Sequence, residues 1–282
     1  MPVGDLTDTG TKGEHVMTEA MADHHFDTLL PAYERWGQPC SETFSRAALD
    51  GAQLSPGAAV LDVCGGMGAL AVPAAERGHR VRAIDVSAGM VRRANERLEP
   101  YPDGSAEVMD ALDLRYGDDE FDAAFSVFGV VYFGPGTAAA LAEMVRVVRP
   151  GGLISIVNWA VPTGAPFFLP VGRAIDRMDD PEVGRFVPPL TEYLERAELE
   201  RALSEAGCVD PRSETVEGVF ALPNAETFLD ELDSIFQVLP QYRAAVTRDR
   251  FRDLVTEEVR RLESGPLPAA RAWIAYARVP SR

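Results

Sequence analysis

Between Ala58 and Trp159 short apolar runs alternate with segments of helical periodicity, and that alternation limits the chain to few folds. Strands are predicted over Ala58 to Val63, Arg80 to Val86, Ser105 to Asp110, Phe121 to Val127 and Leu153 to Trp159. The intervening helices run from the Gly68 turn to Arg77-Gly78, over Ala88 to Leu98 behind the N-cap Ser87, and from about Thr137 to Val148. Pro150-Gly151-Gly152 reads as the turn into the fifth strand. Repeated strand, helix and strand build right-handed βαβ units, hence a doubly wound parallel sheet. Such sheets take ligands at the carboxyl ends of their strands.

The flanks read differently. Residues 1–19 are polar, without the apolar stretch of a signal peptide, and are expected to form a flexible tail. Residues 20–54 are expected to form a lid of two or three short helices, broken near Pro31 and at Gly37-Gln38-Pro39. Residues 55–159 are the ligand-binding core. After it, Val161 to Pro189 is proline-rich and reads as irregular, with Phe167, Phe168 and Phe186 embedded in it. A helix is expected over Glu192 to Ala206, strands over Thr215 to Leu222 and Ala272 to Val279, and at least two amphipathic helices between Ala225 and Ser264. Residues 160–282 thus supply inserted cap segments over the carboxyl edge, not a separately folding domain, plus two late strands.

Composition narrows the partners. With 27 basic and 44 acidic side chains the net charge is -17, which repels nucleic acid phosphates and anionic membranes, so neither partner is expected. Cys40, Cys64 and Cys208 show no CxxC spacing, which suits a reducing cytoplasm and excludes a zinc or disulfide framework. Asp179-Asp180 has no ligand-spaced neighbours and reads as a solvated loop, so no metal is expected.

The sharpest stretch is Val60 to Ala71, a strand entering a glycine turn and then a helix. Gly66-Met67-Gly68-Ala69-Leu70-Ala71 fits the dinucleotide pattern GxGxxA, which taken alone is weak. A pyrophosphate wants amide donors and no fixed negative charge. Asp62 stands just before the turn, and no Lys or Arg lies within Asp62 to Pro73. That carboxylate suits a cationic ligand. Asp85 can accept from ribose hydroxyls and Asp110 from an adenine amine, while Ser126 falls on the same edge.

Together these residues resemble the class I S-adenosylmethionine-dependent methyltransferases, of the small-molecule type similar to the ubiquinone and menaquinone methyltransferases and to natural-product tailoring enzymes. The resemblance rests on Val60 to Gly68, on Asp85 within Ala83 to Met90, on Asp110-Ala111, on Phe121 to Ser126 and on Arg146 to Gly152. It implies an α/β, Rossmann-like, seven-stranded doubly wound sheet, mostly parallel with the last strand antiparallel, under a helical N-terminal lid and an inserted cap. S-adenosyl-L-methionine would be the cofactor and S-adenosyl-L-homocysteine its product. Gly65, Gly66 and Gly68 would follow the methionine moiety beside Asp62 and Cys64, with Asp85 and Val86 at the ribose. Met90, Asp110 and Ala111 would meet the adenine, and Ser126 the amino-acid end. Cys64 departs from the family, which usually has glycine there.

Methyl transfer from a sulfonium needs alignment, exclusion of water and sometimes a base. His79 precedes the second strand, at the wrong edge, which leaves His24 and His25 at the start of the lid as candidate bases. Tyr33 could cover the cofactor, act in catalysis or touch the substrate. Tyr132, Asn158, Trp159, Phe167 and Phe168 are candidate acceptor contacts, whereas Phe128 reads as core packing. The expected activity is methylation of a small, largely apolar metabolite at O, C or N in secondary metabolism, by a monomer or homodimer. The alternatives are a cyclase or isomerase that keeps the cofactor, and a nicotinamide-dependent oxidoreductase.

Overall fold

The computed structural model describes residues 24–160, 165–186, 195–218, 221–237, 239–265 and 269–281, with side chains from 28 onward. The chain enters on α1 (His24–Ala32), a π-helical turn (Tyr33–Gly37) and α2 (Gln38–Ala52), which follow one another without an intervening loop. The expected breaks do not occur. Pro31 is carried inside α1, and Pro39 sits in the first turn of α2, directly after the π-helical turn.

The core then alternates β1 (Ala59–Val63), α3 (Ala71–Glu76), β2 (Arg80–Asp85), α4 (Ala88–Leu98), β3 (Gly104–Val108), β4 (Phe121–Val127), α5 (Thr137–Val147) and β5 (Val148–Trp159). Beyond it come α6 (Phe168–Met178), α7 (Arg196–Glu205), β6 (Val209–Gly218), α8 (Phe228–Phe236), α9 (Pro240–Ala245), α10 (Asp249–Glu263) and β7 (Ala270–Arg278).

All seven strands form one sheet in the order β3-β2-β1-β4-β5-β7-β6. β1 to β5 pair in parallel, while β7 runs antiparallel to both β5 and β6. β1 lies between β2 and β4, so the switch point, and with it the crevice, opens at the carboxyl ends of β1 and β4.

Several boundaries differ from expectation. β3 stops at Val108, leaving Asp110 in the following loop. Pro150-Gly151-Gly152 lies inside β5, where Gly151 has φ +75° and a Cβ on Gly152 would fall 2.4 Å from Val148 Cγ1. The stretch expected to be irregular holds α6, and β6 starts six residues before the predicted strand, whose end overlaps residues 219–220, outside the described residues. Residues 192–194 of the predicted helix ending at Ala206 also lie outside them.

Apolar side chains cover both sheet faces, as central parallel strands require. Val60, Phe125 and Val157 pack on one face with Phe44 of α2, Ala74 of α3 and Leu98 of α4. On the other face Leu61, Ala124 and Ile156 pack with Met144 of α5 and Leu203 of α7. The cap has a third cluster of its own, built from Ile175, Phe228, Phe236, Tyr242, Phe251 and Val259 among others. Each fully buried side chain of this size contributes roughly 1.5–3 kcal/mol. Trp36, Phe167 and Leu222 touch both this cluster and the sheet's first face, and so join cap to core. Among the described residues no helix is long and apolar enough to cross a membrane.

Candidate active site

The glycine turn is built by close approach. β1 ends at Val63, Gly65 N–H donates to Ile84 O at 2.8 Å, and Gly66 and Gly68 have φ +53° and +81°. A Cβ on Gly65 would lie 2.8 Å from Asp62 Oδ2 and 3.3 Å from Ala83 Cβ, so only glycine fits. Cys64 itself has φ +59°, a left-handed conformation in which any Cβ is strained. The backbone angle shows why glycine, usual in the family at this place, is the easier residue.

Two carboxylates flank this turn. Asp62 is 1% exposed, and its Oδ2 accepts from Ala71 N at the start of α3, 3.0 Å away. Burial, opposed by the Ala71 and Leu70 N–H groups and reinforced by the charge of Asp85, pushes its carboxyl up to about 7. Asp85 Oδ2 accepts from Gly66 N and Oδ1 from Ser87 N, each at 3.0 Å, and burial raises this carboxyl too, against those N–H donors. Ser87 Oγ caps α4 through Met90 N at 3.2 Å, with Met90 buried behind it.

The helical rod closes over the turn. Tyr33 Oη and Cε1 lie 3.8 and 3.9 Å from where a Cβ of Gly66 would stand, and Tyr33 Oη is 3.3 Å from Ser41 Oγ. Burial raises the Tyr33 phenol, so this hydroxyl stays protonated and serves as donor or cover better than as base. Arg97 of α4 donates to Met67 O at 2.8 Å and pairs with Glu42 at 3.1 Å, while Arg93 pairs with Glu34 at 3.2 Å. Trp36 Nε1 donates to Glu231 of the cap at 2.9 Å.

On the β2 and β3 side, Asp110 is exposed, its Oδ1 accepting from Leu112 N at 2.9 Å, and Ala111 is buried. Val86, Val108 and Leu112 are 42%, 47% and 44% exposed. They are three of only five large apolar side chains exposed among the described residues, and all fall on these two strand ends or the loop after them. Such a patch fits a flat heterocycle.

At β4, Ser126 Oγ accepts from Val130 N at 3.0 Å, and a Cβ on Gly129 would lie 2.6 Å from both Cys64 Cβ and Ser126 Oγ. Cys64 is held as a thiol well above its usual range, by burial first and by the charges of Asp85, Asp62 and Asp110. Phe128, expected in the core, is half-buried with φ +53° and stacks on Trp159 at 4.1 Å between centroids and 12° between planes. Phe167 meets Trp159 edge-on at 6.1 Å, and Phe168 lies 4.2 Å from Phe167. Tyr132 hydrogen-bonds Trp159, whose indole can only donate, and its phenol is raised chiefly by burial. Asn158 is buried, its Oδ1 accepting from Trp159 N at 2.8 Å.

Tyr33 and the predicted cofactor residues therefore collect on one crevice, and Tyr132, Trp159, Phe167 and Phe168 adjoin one another at its β5 side. The side chains of His24 and His25 lie outside the described residues, although their backbones begin α1. Sequence reasoning missed Val108 and Leu112 because it sought polar groups at the strand ends. It missed Arg97 because the Met67 carbonyl lies thirty residues earlier in the chain.

Residues 60–152 match the family model described as a methyltransferase domain. A demethylmenaquinone methyltransferase of Mycobacterium bovis is 34% identical over 173 residues, covering 57% of this chain and 71% of that protein. The chain belongs to the class I S-adenosylmethionine-dependent methyltransferases. An uncharacterised protein of Mycobacterium tuberculosis is 36% identical over 146 residues, 49% of each chain, so this chain spans about half the length of such relatives. The solved [4+2]-cyclase SpnF shares the fold, with a TM-score of 0.53 and 20% identity over 86% of this chain and 82% of that one. In this methyltransferase the crevice holds two buried carboxylates, a Cβ-free turn and exposed apolar side chains beside Asp85.

Proposed function

We propose that the protein transfers the methyl group of S-adenosylmethionine to an O, C or N atom of a small, largely apolar metabolite. The observation that carries this reading is Asp62, a buried carboxylate that accepts from backbone N–H groups and pairs with no cation among the described residues. A buried charge left in that state is costly and favours a cationic ligand. S-adenosylmethionine supplies an activated methyl on a sulfonium, which leaves the protein to align and shield.

Asp62 would face the positive end, and Asp85 would keep lone pairs for the ribose hydroxyls while its backbone bonds hold the turn. Val86, Val108 and Leu112 would cover the adenine. Tyr33 would close the crevice, excluding water from the reacting atoms. Phe128, Trp159, Phe167 and Phe168 would receive an apolar acceptor, since binding pockets are mostly apolar with few polar groups. His24 and His25 remain the candidate bases.

Incubating the protein with methyl-labelled S-adenosylmethionine and a panel of apolar phenols, quinols and amines tests this reading. Label in an acceptor supports it, and tight cofactor binding with no transfer to any acceptor contradicts it. The shared fold with a [4+2]-cyclase keeps a second reading, a rearrangement at unchanged mass. Product mass separates the two, because methylation adds one CH2.

A further inference from the structure

The rod above the glycine turn carries one polar group that the fold leaves unsatisfied. Gln38 is 5% exposed, and neither atom of its amide finds a hydrogen-bond partner. An amide so placed is costly unless something pairs with it. Its polar neighbours on the buried face of α2 are provided for: Ser45 Oγ donates to Ser41 O at 2.9 Å, and Ser41 Oγ meets Tyr33 Oη at 3.3 Å.

The π turn is what puts Gln38 there. Gln38 N–H donates to Tyr33 O, the five-residue bond of a π-helix, which sets Gln38 one turn along the rod from the residue that covers Gly66. Gln38 and Met67 of the glycine turn line the same cavity of about 350 Å3 between rod and turn. The charged groups around that cavity are already matched. Arg97 holds Met67 O and Glu42, Glu34 pairs with Arg93, and Arg46 pairs with Glu42 and Glu76. The group left over is a neutral amide with both a donor and an acceptor, a complement for a zwitterion more than for a net charge.

We propose that Gln38 binds the amino-acid end of S-adenosylmethionine, its amide N–H donating to the α-carboxylate. This rests on the cofactor reading above. The π turn then has a purpose: it brings cover and carboxylate donor to the same side of the rod.

Calorimetry with S-adenosylhomocysteine, which keeps the amino-acid end, and 5′-methylthioadenosine, which lacks it, tests the assignment on wild type, Gln38→Leu and the near-isosteric Gln38→Met. Neither substitution leaves an orphaned amide, so folding is not at risk from that source. Loss of a hydrogen bond to a charged group predicts about tenfold or more weaker S-adenosylhomocysteine binding in both variants, with 5′-methylthioadenosine unchanged. Unchanged S-adenosylhomocysteine affinity would overturn the proposal, since a buried water would then satisfy the amide. Equal weakening of both ligands would overturn it in favour of a packing role. Wild type that binds neither ligand would overturn the cofactor reading itself.

Discussion

Two buried carboxylates, one at the crevice and one in the cap, show how the same group is used in opposite ways. Glu258 of α10 is 1% exposed and accepts from Arg177 Nη1 at 2.6 Å and Arg261 Nη1 at 2.8 Å, with Arg173 at 3.9 Å. Asp62 is equally buried, yet its partners are backbone N–H groups and a second acid, Asp85, stands close enough to raise it. The cap's acid is complete as folded and staples α6 to α10. The crevice's acid has no cationic partner among the described residues, which is what the proposed cationic ligand would supply.

Removing each acid should therefore do different things. Glu258→Ala strands arginines and opens the α6 to α10 contact, so urea unfolding should show a loss of about 3 kcal/mol, at the low end for a broken buried pair because the arginines reach solvent. Cofactor affinity in calorimetry should stay within about twofold, since no charge near the crevice changes.

The next effect is in pH. Asp62 is raised from 3.8 to about 7 in the folded state, so between those values the folded chain binds more protons than the unfolded one. Stability of the ligand-free protein should then fall as pH rises from about 4 to about 7, by a few kcal/mol at about 1.4 kcal/mol per pKa unit, and level off above. Thermal unfolding of Asp62→Asn should lack that component. A wild-type curve parallel to that of the variant would mean that Asp62 is not the perturbed acid. In the ligand-bound protein the sulfonium favours the carboxylate, so affinity for S-adenosylmethionine should rise with pH across the same window.

The smallest effect concerns backbone strain at the crevice. Cys64 and Phe128 hold left-handed φ at the ends of adjacent strands, beside the crevice. Cys64→Gly relieves about 1–2 kcal/mol of this and gives back about 0.5–1 in chain entropy, for a net gain of about 0.5 kcal/mol in denaturant unfolding. Cys64→Ala keeps the strain and loses the thiol's contacts, so it should destabilise. Two variants equal in stability would show that φ at 64 is not strained.

Much of this was legible in residues near one another in sequence. Alternating apolar runs specified the parallel strands because both faces of such strands are buried, and Asp62 without a basic neighbour was visible as a chemical statement. Long-range contacts were hidden. Nothing local to Val161 to Pro189 announces α6, whose buried face depends on α10 folding against it from eighty residues away. Pro31 and Gly37-Gln38-Pro39 read as breaks because propensity favours them, whereas tertiary packing of Phe44 and Ala48 on the sheet keeps the rod helical. Phe128 reads as core from its apolar ring and does pack against the core, edge-on to Phe44; what the local sequence does not show is the positive φ that also stacks it on Trp159.

The central claim is that the crevice is completed by a cation beside Asp62. Calorimetry of S-adenosylmethionine at pH 8 on wild type and Asp62→Asn tests it directly, with a nicotinamide dinucleotide as control. The account predicts binding to wild type, a loss of about tenfold or more in the variant, and no binding of the dinucleotide. Equal affinity in both proteins, or a dinucleotide that binds wild type better than S-adenosylmethionine does, would contradict it.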